Sequence, residues 1–79
     1  MQQLTEQIGG IDAQASALQK QRDFISQELR DQRSLLEKGL AQAPRVLALE
    51  REAARLDGQL GEITATRARA VTQLAEIDL

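Results

Sequence analysis

The chain is predicted to be all-α: a two-helix antiparallel coiled-coil hairpin, with one helix over about 3–38, a tip at 39–43 and a second helix over about 44–78. Three observations lead there. Apolar residues recur at alternating steps of four and three along two long segments. The one strong interruption between them, LEKGLAQAPRVLALE (36–50), holds Gly39 and the single proline, Pro44. Large aromatics are almost absent, with one Phe and no Trp or Tyr, although 42% of the residues are hydrophobic. A compact core of this size needs several large side chains, whereas Ala, Leu, Gln, Glu and Arg at a 3.5-residue period suit a coiled coil.

In the first segment the seam runs Leu4, Ile8, Ile11, Ala15, Leu18, Arg22, Ile25, Leu29, Gln32, Leu36. With Ile8 at heptad position a, these residues alternate d and a throughout, as in a left-handed coiled coil. The second segment repeats the pattern in Val46, Leu49, Ala53, Leu56, Leu60, Ile63, Arg67, Ala70, Leu74, Ile77.

Between them, Gly39 is expected at the left-handed residue that ends the first helix, with Lys38 at the negative end of its dipole. The second helix is expected to begin near Pro44, where a missing N–H is harmless. Its cap is poor, since neither Gln42 nor Ala43 is a favoured N-cap residue. Leu40 is expected to project from the turn, with Leu35 just below it.

An antiparallel seam sets a positions of one arm against d positions of the other. Pairing Leu36 with Leu49 brings Gln32 to Ala53, Leu29 to Leu56, Ile25 to Leu60, Arg22 to Ile63, Leu18 to Arg67 and Ala15 to Ala70. Paired numbers then sum to 85 and centre the turn between Gln42 and Ala43. Arg33 and Glu50, both at position e, face each other in this register. In it no acid stands beside Arg22 or Arg67, so both heads are expected to snorkel to water or to meet acids of a neighbouring hairpin. Gly9, Gly10, Gly58 and Gly61 fall on outward positions, either as weak spots or as a smooth face for another helix.

Charge and chemistry narrow the function. Ten basic and twelve acidic residues give a net charge of −2, which disfavours a nucleic-acid-binding arm, since that needs a basic face. No apolar run is long enough to cross or insert into a membrane. The polar pattern begins directly after Met1, so no signal peptide is expected. Without His or Cys the common nucleophile–base pairs and metal clusters cannot be assembled, and a rod offers no pocket to tune carboxylates. No enzymatic activity, cofactor or metal is expected.

KGLAQAPRVLALERE, preceded by a Leu-rich coil and followed by LDGQLGEI and QLAEIDL, resembles the coiled-coil hairpin of periplasmic adaptor (membrane fusion) proteins of type I secretion, the HlyD family. The resemblance covers nearly the whole chain. It implies a fragment, 1–79, of a larger protein whose membrane anchor, lipoyl-like domain and β-barrel domain are not in this sequence. The implied location is the periplasm, with the full-length protein anchored in the inner membrane. The implied role is to bridge an inner-membrane transporter, through those other domains, to a TolC-like outer-membrane channel that meets the hairpin tip. In the family an Arg, a Leu four residues on and a Ser or Thr seven beyond that make this contact. Leu35 fills the Leu slot; Asp31 stands in the Arg slot, flanked by Arg30 and Arg33, and Gln42 stands in the Ser/Thr slot. The candidate partner-binding residues are therefore Arg30, Arg33, Leu35, Gly39, Leu40 and Gln42. Neighbouring hairpins are a further expected partner, through Leu35, Val71, Phe24 and the outer glycines. The alternative is a structural coiled coil that oligomerises or spaces domains, which half-lipoyl sequences on either side of the hairpin would exclude.

Overall fold

In the computed structural model, which describes residues 2–40 and 42–78, two helices of equal length, α1 (Gln2–Glu37) and α2 (Ala43–Asp78), run side by side. Each has 36 residues, about 54 Å at 1.5 Å per residue. The hairpin measures 61 × 14 × 12 Å along its principal axes, so it is one rod, one layer of packing thick. Both helix boundaries fall within a residue of those expected. Of the expected tip, Ala41 lies outside the described residues.

Among the described residues the core is the seam. Its buried members are Ile11, Leu29, Val46, Leu49, Ala53, Leu56 and Ala70, and all belong to the a and d series. Leu56 is the most enclosed, at 1% exposure. Phe24, the single aromatic, lies on the outside at 75% exposure. A two-helix rod buries one stripe per helix, so a bulky side chain off that stripe has nowhere to go.

The register differs from the expected one by a heptad. Leu29 clusters with Val46 and Leu49, with Ile25 packed against them; it does not face Leu56. Among the described residues four ion pairs cross between the helices: Arg22–Asp57, Arg33–Glu50, Arg45–Glu28 and Arg67–Asp12. Their numbers sum to 79, 83, 73 and 79. They scatter about 78, the one heptad-compatible value close to all four. With a sum of 85, Arg45 and Glu28 would be out of step by about 18 Å, beyond the reach of the two side chains.

In the observed register Leu29 lies level with Leu49, Ile25 with Ala53, Arg22 with Leu56 and Leu18 with Leu60. Ile63 lies level with Ala15, Arg67 with Ile11 and Ala70 with Ile8. Each seam alanine thus meets an isoleucine, which keeps the interhelical gap uniform; the expected register set Ala15 against Ala70. Large-against-small pairing is how facing layers fill space without voids.

The cause lies in the turn. Only five positions, 38–42, lie between α1 and α2 to reverse the chain. Five suffice because the end of α1 closes tightly. Gly39 adopts φ +73°; its N–H donates to the Leu36 carbonyl at 3.0 Å, and the Leu40 N–H donates to the Leu35 carbonyl at 2.8 Å. These two bonds are the Schellman pattern, which satisfies the last carbonyls while turning the chain out of the helix. Two seam residues lose their expected partners as a result. Leu36 is 36% exposed and Ile77 is 53% exposed.

The seam arginines are also placed differently from expectation. Neither simply snorkels, and both meet acids of their own hairpin. Arg22 Nε donates to Asp57 Oδ1 at 2.7 Å, and Arg67 Nε donates to Asp12 Oδ1 at 2.5 Å. Arg67 Nη2 also donates to Asp12 Oδ2 at 3.4 Å, and Arg22 Nη1 donates to Ser26 Oγ. Asp57 and Asp12 are the e residues directly after Leu56 and Ile11, so the two clamps are the same construction repeated in opposite halves of the rod. The hydrogen bond to the aspartate in each clamp raises the guanidinium pKa above its ordinary value, against an opposing effect of burial.

Candidate functional site

The candidate site is the closed end of the rod, and its rigidity comes from the last turn of α1. The Leu35 carbonyl accepts two N–H donors, from Lys38 at 3.1 Å and from Leu40 at 2.8 Å. Leu35, Gly39 and Leu40 are therefore tied together by the backbone. In this motif Leu35 and Leu40 occupy the two positions whose apolar side chains commonly meet. Leu35 is half-buried. Leu40 is 72% exposed, the expected projecting residue. On the other side, the exposed Gln42 directly precedes α2, and its carbonyl accepts the Arg45 N–H at 3.1 Å. Ala43 opens the helix, which places Pro44 second in it, one position later than expected. Its absent N–H still falls among the first four, which have no partner within a helix.

The two shaft arginines stand differently. Arg33 Nη2 reaches across to Glu50 Oε1 at 3.0 Å, the one cross-hairpin pair expected from sequence. Arg30 Nη2 donates to Gln27 Oε1 at 2.7 Å, and Gln27 Nε2 donates to Asp31 Oδ1 at 3.0 Å. Arg30 and Asp31 thus share one glutamine on the outer face, roughly 10 Å below the end of α1. Leu35, Gly39, Leu40 and Gln42 come together at the apex; Arg30 and Arg33 belong to the shaft.

Two apolar residues at this end were not among the candidates. Leu47 is 50% exposed one turn into α2, and Leu36 is exposed at the top of α1. Leu47 was legible as an outward b position next to Val46. Leu36 was not, because the seam pattern assigned it a partner that the turn removes. Arg45 bonds Glu28 across the base of this end, opposite in direction to the Arg33–Glu50 pair.

Elsewhere, a shallow open groove between the helices is lined by Gln14, Ala17, Leu18, Gln59, Glu62, Ile63 and Thr66. Among the described residues no group of acids could hold a metal ion, and no helix is long and apolar enough to cross a membrane. Away from the apex, Arg55 bonds Glu52 one turn earlier on α2, and that hydrogen bond lowers the Glu52 pKa from its ordinary value. What the geometry offers is an apolar apex with polar groups around it, on a stiff stem.

Comparison with known proteins places this arrangement. The family model described as AprE, long alpha-helical hairpin, matches residues 1–79. The type I secretion system membrane fusion protein PrsE of Rhizobium meliloti (strain 1021) is 36% identical over 77 residues, which cover 98% of this chain and 18% of PrsE. The chain therefore spans under a fifth of the length of that relative. No solved structure matches the chain.

Proposed function

The chain belongs to the AprE long alpha-helical hairpin family, and from that premise we propose that it is the docking arm of a type I secretion adaptor. In this reading it is one segment of a longer periplasmic protein. The rest of that protein holds the inner-membrane transporter, and the hairpin tip meets the helical periplasmic end of a TolC-like outer-membrane channel. The observation that carries the reading is Leu40: 72% exposed, at the apex of a 61 Å rod, and fixed there by the bonds of Gly39 and Leu40 to Leu36 and Leu35.

A residue at that place adds little to the hairpin's own core. An apolar knob on a rigid backbone loses little freedom on binding, and interfaces set an apolar centre within a polar rim. Leu36 and Leu47 widen the apolar area, while Gln42 offers both a donor and an acceptor. Arg33 is already engaged by Glu50, so its part is to brace the shaft. Arg30 remains on the outer face as the cation nearest the family's Arg position.

The test is secretion by the full-length protein carrying Leu40→Asp, or Leu35→Asp together with Gln42→Ala. Both are expected to abolish secretion, while circular dichroism of the isolated hairpin keeps its helix content. Unchanged secretion would remove the tip from the mechanism. Loss of secretion only in variants whose hairpin unfolds would favour a spacer coiled coil.

A further inference from the structure

The hairpin's seam is compatible with two registers, and the structure occupies one of them. Moving the helices by one heptad re-pairs every layer; at the ends of the seam it leaves Leu4 and Val46 without partners and brings in Leu36, opposite Leu49, and Ile77, opposite Ile8. The two leucine and isoleucine side chains that would be newly covered are those now left exposed, Leu36 at 36% and Ile77 at 53%. Apolar burial is therefore nearly balanced between the registers.

The charges are not balanced. Arg22–Asp57 and Arg67–Asp12 lie nearly level in the observed register, with numbers summing to 79. After the slide each pair would be out of step by about 9 Å, and Arg45–Glu28 by about 18 Å. Arg33–Glu50, in contrast, sits between the two registers and is available to both, since its sum of 83 differs from 78 and 85 by a few residues each way. Packing also leans toward the observed state, because the slide would set Ala15 against Ala70.

We propose that the paired Arg22–Asp57 and Arg67–Asp12 clamps are a register lock, holding the hairpin out of a second register one heptad away. The two clamps are spaced so that one lies in each half of the rod. Both must open for the helices to slide, and a slide moves one helix along the other by about 10 Å. The tip then takes up seven more residues from the helix ends. The start of α2 yields readily, because Gln42 is a poor cap and Pro44 follows close behind. Such a lock couples the open end of the rod to the shape of its apex, a one-step ratchet between discrete packed states. The inference does not depend on what the apex binds.

Disulfide equilibria in this chain test it. Leu29→Cys with Leu49→Cys reports the observed register, and Leu36→Cys with Leu49→Cys reports the second. Leu36→Cys with Leu56→Cys fits neither and measures background. A disulfide needs Cα atoms within about 7 Å, so each pair closes in its own register. In a glutathione buffer the first pair should close readily and the second should stay near background. Adding Asp12→Asn and Asp57→Asn should raise closure of the second pair about five- to tenfold, the scale of two partly exposed ion pairs. Exchanging the charges, with Arg22→Asp, Asp57→Arg, Arg67→Asp and Asp12→Arg, should return it to background. A second pair that stays at background in the Asn variant, with helix content intact by circular dichroism, overturns the lock. So does a rise that the charge exchange fails to reverse, since that reports loosening.

Discussion

Replacing Gly58 and Gly61 by alanine should stabilise this hairpin, and replacing Gly39 should do the opposite. Gly58 and Gly61 lie inside α2, and a Cβ built on either meets nothing within 4 Å. Each glycine costs roughly 1 kcal/mol relative to alanine in a helix interior, mainly through backbone entropy. The double variant Gly58→Ala, Gly61→Ala should therefore gain about 2 kcal/mol, or roughly 10 °C in Tm for a chain of this size. Gly39 also has open space around its missing side chain, but its φ of +73° is the left-handed region. There Ala is penalised by roughly 1–2 kcal/mol, and Gly39→Ala should lower Tm by several degrees. The assay is thermal unfolding followed at 222 nm, at one low protein concentration so that association does not enter. A lower Tm for the α2 variant, or a higher one for Gly39→Ala, would refute the reasoning. The same α2 variant in the full-length protein answers a separate question. Secretion lost while stability rises would mean that the outer face packs closely on a neighbour; secretion retained would mean that the glycines are only weak spots.

Two further outcomes are expected. Leu56→Ala removes the most enclosed side chain and should cost about 2–4 kcal/mol in denaturant unfolding, whereas Leu36→Ala should cost under ~1 kcal/mol because that residue is exposed; equal costs would contradict the observed register. The isolated hairpin should self-associate at high concentration, with Tm rising with concentration and Phe24→Ser weakening the effect, since a single stripe of burial barely offsets the ordering of two long helices. Monomeric mass in sedimentation at all concentrations, with a constant Tm, would contradict it.

Much of the architecture was written in the sequence. The seam positions, the helix bounds to within a residue, the left-handed Gly39 and the projecting Leu40 all follow from local rules: a 3.5-residue apolar period, a glycine past a helix end and a proline just inside the next. Each rule concerns residues near one another in the chain, so the chain alone can carry it. The Arg33–Glu50 pair was legible for a different reason: its sum of 83 lies between the two registers, and nearer to the wrong one, so it was found even there.

The register itself was decided by tertiary structure. A heptad repeat is nearly unchanged by a shift of seven, so periodicity cannot choose between sums of 78 and 85. The choice depends on how few residues the Schellman turn needs, on matching each Ala with an Ile across the seam, and on where Asp12 and Asp57 arrive beside Arg67 and Arg22. That single undetermined step is why Leu36 was assigned to the core and lies exposed at the tip, and why the seam arginines were expected to lack partners within the hairpin. The large-against-small pairing was present in the sequence as a weak signal and would have favoured the observed register. The turn's tightness rests on two hydrogen bonds closed around Gly39; they are local in the chain, but where they land α2 against α1 is settled only when the helices pack.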